Sequence, residues 1–230
     1  MKIIDLRFRR YHVAWDYAGP LAEDRLLRPE DIYQDLGAAP PYWPVRKEAG
    51  PPYALESVFL YVDTDEGVSG LFGPVSEEEG RIIKGQLAPV VLGENPHGVE
   101  RIWDRMYRTA IHGRKGQTMM AISKVDLALW DLKGKLLGAP VYTLLGGPTR
   151  SSNRAYASML GYSAEPERAA QRSAEVVAQG YTATKWFVRK GPADGEAGVR
   201  QNIALIEAVR GAVGPDVEIM FDAWSSWSVP

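Results

Sequence analysis

The chain has no cysteine, which excludes disulfides, thiolate metal sites and cysteine nucleophiles together. That usage fits a reducing compartment. Long apolar runs are also missing, since no stretch approaches the roughly 18 consecutive apolar residues of a membrane span. Charges interrupt every short apolar run in the opening MKIIDLR, so a secretory signal core is not expected there. No sign of charge dominates. The formal net charge is −2 over 230 residues, and acidic and basic residues are mixed along the chain. A nucleic-acid partner and a charged binding tail are therefore not expected. Histidine is scarce, with three in all, and His97 and His112 fall in a turn and a loop without obvious partners. These absences point to a soluble, cytoplasmic protein with no membrane association.

What remains is 45% hydrophobic, enough for a sizeable core in one large domain or two small ones. Residues 2–10 alternate apolar and charged side chains in a strand-like pattern. Residues 12–53 are rich in Pro, Gly, Tyr and Trp, and their length predicts a functional loop or lid. A strand is expected over 57–63 (SVFLYVD), with turn chemistry in Thr64, Asp65, Glu66 and Gly67 and a return strand over 68–72. Ser76 followed by Glu77, Glu78 and Glu79 predicts a capped helix to about Val91. A short helix follows Pro96, with Val99, Ile102, Trp103 and Met106 on one face. The strongest helical period covers 118–137, where Met119, Ile122, Val125, Leu129, Leu132 and Leu136 recur at three- and four-residue steps. Gly138 stops it and Pro140 follows.

Beyond about residue 150 the rhythm changes. Strands over 154–160 (RAYASML), 182–188 (TATKWFV) and 217–222 (VEIMFD) alternate with helices over 165–179 and 196–211. This β-α-β-α-β order predicts parallel crossover units. Two domains follow, an α+β domain over 1–150 and an α/β domain over 151–230.

Residues 121–135 (AISKVDLALWDLKGK) and 138–147 (GAPVYTLLGG) together resemble the helix and domain boundary of the mandelate racemase and muconate lactonizing enzyme group of the enolase superfamily. The resemblance implies a capping domain followed by the first part of a TIM-like (β/α) barrel. It implies a Mg²⁺-dependent hydro-lyase as parent enzyme, with a small-molecule sugar acid as substrate and a homo-oligomeric assembly. Lys185 matches the first lysine of the Lys-x-Lys pair that the family carries on its second barrel strand. Asp222 matches the first of three carboxylates that hold the metal. In such barrels, catalytic residues sit at the C-terminal strand ends. Abstraction of a proton next to a carboxylate builds negative charge on the enediolate oxygens, which a hard dication and an ammonium offset. Asp126 and Asp131 are expected to serve hydrogen bonds between the two domains.

One departure from the family pattern is informative. Phe187 stands where the racemases place the second lysine, so a two-base racemase is disfavoured. Members without that lysine use a His–Asp dyad from later strands, and are largely acid-sugar dehydratases. The context of Lys185, Trp186, Phe187, Asp222, Ala223 and Trp224 resembles the rhamnonate-dehydratase-like branch. Trp15, Tyr17, Arg46 and Trp224 are substrate-binding candidates, with His12 and Trp43 beside them in the long loop. Family members are much longer, so the chain is expected to be an N-terminal fragment lacking the later metal carboxylates and the dyad, inactive alone. The alternatives are a racemase, epimerase or cycloisomerase of the same superfamily, or a non-catalytic association module.

Overall fold

The computed structural model describes residues 1–33 and 53–227. The chain divides into two compact units, Met1–Tyr17 with Pro44–Ser151, and Ala18–Trp43 with Ser152–Pro230.

The first unit is built on a three-stranded antiparallel sheet in the order β1-β2-β3. Its strands are β1 (Ile3–Trp15), β2 (Tyr53–Thr64) and β3 (Ser69–Phe72). β1 runs five residues beyond its expected end, into the stretch expected to be loop. Tyr11, His12, Val13, Ala14 and Trp15 pair with Ser57, Glu56, Leu55, Ala54 and Tyr53. This segment is aromatic and β-branched, and a partner strand completes its ladder. The helical layer follows as α1 (Glu77–Ile82), a π turn at Ile83–Leu87, α2 (Ala88–Val91), α3 (Val99–Thr109), α4 (Gln117–Leu137) and the short α5 (Val141–Leu144). Ser76 caps α1 as its sequence predicts. Its Oγ accepts from the Glu79 amide at 3.2 Å, and the Glu79 carboxylate accepts from the Ser76 amide at 2.7 Å.

α4 buries Ile122, Val125, Leu129 and Leu132 completely against Leu6, Leu60 and Val62 of the sheet. Each such side chain contributes about 1.5–3 kcal/mol of burial free energy. Gly70 lets β3 lie directly on α4, for a Cβ there would stand 2.1 Å from the Ala128 carbonyl oxygen. Gly138 closes α4 in the left-handed region at φ 61°, which glycine enters without steric cost. Asp131 accepts from the Leu71 amide at 2.7 Å and from Lys135 at 2.6 Å. Instead of bonding between domains, it fastens β3 to α4 within the first unit. Burial pushes the Asp126 carboxyl above the ordinary aspartate range.

The second unit carries β4 (Ala157–Ser158), α6 (Pro166–Ala178), β5 (Ala183–Phe187), α7 (Gly195–Val213) and β6 (Glu218–Asp222). The three strands are neighbours and parallel, in the order β4-β5-β6. This is the capping-domain fold followed by a partial, unclosed (β/α) barrel. β4 is shorter than its sequence predicts. Near its start the Arg154 side chain, not a backbone ladder, reaches across to the Thr182 carbonyl at 2.8 Å and to Glu218 at 2.6 Å. One face of the sheet is covered by helices. Thr184, Trp186 and Val188 are buried there, with Ala169 of α6 and Leu205 and Val209 of α7. The Trp186 indole donates to Ser173 Oγ at 3.0 Å, which satisfies its one polar atom in the core. The opposite face includes Tyr156 and Leu160, which are exposed.

Residues 18–33, expected as part of a lid on the capping domain, group with this second unit. They include a short 3₁₀ turn at Pro29–Ile32.

Candidate active site

Strand alternation decides which side chains share the face opposite α6 and α7. Successive residues of a strand point to opposite sides. In the parallel ladder Ser158 pairs with Lys185, and Phe187 pairs with Asp222. Tyr156, Ser158, Lys185, Phe187 and Asp222 therefore line one side, and Trp186 lines the other. The carboxylate and the ammonium meet at the C-terminal end of the sheet, with Lys185 Nζ 3.4 Å from Asp222 Oδ2. Both side chains are partly buried, at 23% and 33% exposure. Lys185 also sits over the rings of Tyr156 and Phe187, 5.2 and 5.0 Å from their centroids. Polar contact with the Tyr156 hydroxyl, and after it with Asp222, holds the ammonium pKa above the ordinary lysine value, against the opposing effect of burial. Lys185 is therefore a cation at neutral pH.

The backbone after β6 orients the carboxylate. Trp224 and Ser225 both lie in the left-handed region, at φ 50° and 56°, which non-glycine residues adopt at a cost. This turn aims the Trp224 amide at Asp222 Oδ1, 2.8 Å away. One carboxylate oxygen is thus held by the backbone and the other faces Lys185. The Trp224 ring lies 6.4 Å from the Phe187 ring, so this substrate-binding candidate belongs to the same cluster.

The other candidates lie elsewhere. Trp15 and Tyr17 are in the first unit, stacked on each other at 4.7 Å and close to Tyr53. His12, on the same unit's ribbon, lies 3.5 Å from the Glu56 carboxylate that Arg10 also binds. Arg46 and Trp43 lie outside the described residues.

Sequence reasoning missed a clasp on the loops after β4 and β5. The Asp24 carboxylate accepts from Ser163 Oγ at 3.1 Å and from the Ala164 amide at 2.7 Å. Glu23 accepts from the Ser163 amide at 3.1 Å and from Arg168 at 2.5 Å. Arg189 lies 3.7 Å from Asp24 and donates to the carbonyls of Phe187 and Tyr162 at 3.0 and 2.9 Å. Its burial lowers the guanidinium pKa, and Asp24 acts in the opposite direction. No local pattern announces these carboxylates. Tyr156 precedes a different strand, and only the register between β4 and β5 brings it to the face of Lys185.

Asp222 supplies one hard oxygen donor of the kind a divalent cation takes. Among the described residues, no group of three or more His, Cys, Asp or Glu side chains is gathered to hold an ion. The residues present thus fit one corner of a Mg²⁺ site and not a complete one. No helix among the described residues is long and apolar enough to cross a membrane.

Comparison with known proteins places both units in one superfamily. The N-terminal domain model of mandelate racemase / muconate lactonizing enzyme matches residues 40–146, and the enolase C-terminal domain-like model matches residues 167–230. The L-rhamnonate dehydratase of Saccharopolyspora erythraea is 37% identical over 177 residues, which is 76% of this chain and 43% of that protein. The crystal structure of L-rhamnonate dehydratase from Gibberella zeae superposes with a TM-score of 0.72 at 26% identity, over 98% of this chain and 52% of that one. D-glucarate dehydratase from Agrobacterium tumefaciens, complexed with magnesium, gives 0.68 at 25% identity, over 95% of this chain and 53% of that one. The chain spans about half the length of these relatives.

Proposed function

This chain belongs to the mandelate racemase and muconate lactonizing enzyme group of the enolase superfamily, and we propose that it supplies the capping domain and first barrel strands of a sugar-acid dehydratase. On this reading the domains are 1–150 and 151–230, with residues 18–33 added to the barrel side. The observation that carries the reading is the placement of Lys185 beside Asp222, on one face of adjacent parallel strands at their C-terminal end. The resemblance to L-rhamnonate and D-glucarate dehydratases supports the substrate class.

In such a dehydration the substrate loses the proton next to its carboxylate and the neighbouring hydroxyl leaves as water. The resulting enol becomes a 2-keto acid. Lys185 holds a fixed positive charge where the carboxylate oxygens gain negative charge, a role for a cation and not for a base. Phe187 cannot abstract a proton, so the base comes from outside this strand face. Asp222 is the metal ligand of this chain, and a bound Mg²⁺ would neutralise charge on the same substrate oxygens. Trp224 stands at the mouth, where its ring can cover a polyhydroxylated ligand. Trp15, Tyr17 and Arg46 remain proposed substrate-binding residues. Phe187 counts against a two-lysine racemase or epimerase.

The test pairs Mg²⁺ titration calorimetry with an assay for 2-keto product over a panel of sugar acids. With one carboxylate, this chain is expected to bind Mg²⁺ weakly and to dehydrate nothing. In a polypeptide carrying the complete barrel, Asp222→Asn should abolish turnover together with metal binding. Lys185→Ala should lower turnover with the metal retained. Metal binding unchanged by Asp222→Asn would overturn the assignment.

A further inference from the structure

The family places a second lysine two residues beyond Lys185, on the same strand face, and this chain has Phe187 there. A second ammonium at that position would repel the first. An aromatic ring does the reverse, because its face carries the negative lobe of a quadrupole and attracts a cation within about 6 Å. Lys185 Nζ lies 5.0 Å from the Phe187 centroid. A second ring comes from the neighbouring strand, where Tyr156 stands two residues before Ser158, the register partner of Lys185. Its centroid is 5.2 Å from the same nitrogen. The rings therefore flank the ammonium from positions before and after it along the sheet, and Asp222 Oδ2 stands at 3.4 Å. Trp224 lies against the Phe187 ring and backs that wall.

A lysine stem is long and freely rotating, and ordering it costs entropy that one half-exposed ion pair barely offsets. We propose that Tyr156 and Phe187 form a two-walled aromatic cradle that positions the Lys185 ammonium beside Asp222. Tyr156 and Phe187 are positioning residues, and their importance for turnover rests on the dehydratase reading, whereas the cradle itself does not.

The test is the NMR spectrum of the full chain at one fixed pH, with the Lys185 side-chain methylene next to the ammonium assigned by Lys185→Arg. A methylene held over two ring faces is displaced upfield from the other lysines. Tyr156→Leu and Phe187→Leu should each remove part of that displacement, and the double variant should return the signal to the position of a free lysine. Phe187→Tyr keeps its ring and should keep the displacement, and Tyr156→Phe, which removes only the hydroxyl, should keep it too. Its loss in Tyr156→Phe would show that the hydroxyl and not the ring holds the ammonium, and would overturn the Tyr156 wall. Unchanged amide shifts in α6 and α7, the helices of the same unit, confirm that each variant is folded. A Lys185 signal at the free-lysine position in the unmodified chain overturns the cradle, as does a displacement insensitive to both leucine variants. An upfield signal combined with no keto product from the complete barrel leaves the cradle standing and overturns the dehydratase reading instead.

Discussion

The two units use their sheets in opposite ways. The first unit fills one side of an antiparallel sheet with α4 and its neighbouring helices, and its buried cluster extends from Ile3 through Leu132. Two of its carboxylates link elements: Asp131 ties β3 to α4, and Asp63 of β2 accepts from Arg7 of β1 at 2.9 Å. The second unit buries a much smaller cluster, centred on Trp186, Leu205 and Val209. Its other sheet face holds Lys185 and Asp222 in partly buried positions, with the Phe187 ring buried and Tyr156 and Trp224 exposed. A parallel sheet normally has both faces covered, so the face left to polar groups is where chemistry has room. The contrast teaches that the larger buried core and the Lys185–Asp222 pair lie in different units of this chain.

The largest expected effect bears on the core of the first unit. Leu129→Ala empties a fully buried site and should cost about 2–5 kcal/mol, measured by denaturant unfolding. A cost near zero would mean that α4 is not the keel of that unit.

Next comes the clasp of the second unit. Asp24→Ala leaves Ser163 Oγ and the Ala164 amide without this acceptor and removes the carboxylate 3.7 Å from the Arg189 guanidinium, at about 1–3 kcal/mol. Hydrogen exchange at Ser163 and Ala164 should accelerate while the amides of α4 keep their protection. Acceleration across both units would break the idea that they respond separately.

A smaller loss follows Asp131→Ala, about 1 kcal/mol for the bond to the Leu71 amide, visible as faster exchange at Leu71. Acid provides a related test. The Asp63 carboxyl is partly desolvated, which opposes ionisation, but Arg7 and Ser69 together hold it below the ordinary aspartate value. Arg25 does the same for Asp31 of the second unit, aided by the Arg28 amide. The stability each contributes is complete above the unfolded aspartate pKa of about 3.9 and is lost as pH falls through the lower folded value. Asp63→Asn should therefore flatten the acid limb of the stability curve.

The smallest change has the opposite sign. Burial raises the Asp126 pKa, so its ionisation works against folding at neutral pH. Asp126→Asn should raise stability by less than about 1 kcal/mol after solvent screening, and the gain should vanish as pH falls below the folded pKa.

The sequence by itself determined the elements and the strands that carry Lys185 and Asp222. The period of α4, the Ser76 cap and the βα alternation are local patterns, written within one or two turns of chain, and the structure realises them nearly as spaced. Lys185 and Asp222 were legible because each sits at a fixed place on a strand, and alternation alone then sets its face. Tertiary structure decided what surrounds them. β1 continued to Trp15 because a partner at Tyr53 was available, which no residue near Trp15 records. Asp24 reaches Ser163 and Ala164 across 139 and 140 residues of sequence, so no periodicity links them. Tyr156 and Phe187 flank Lys185 through strand register. Local sequence encodes which way a side chain points, but which groups it meets depends on strand pairing and loop docking, which are settled only when distant segments pack.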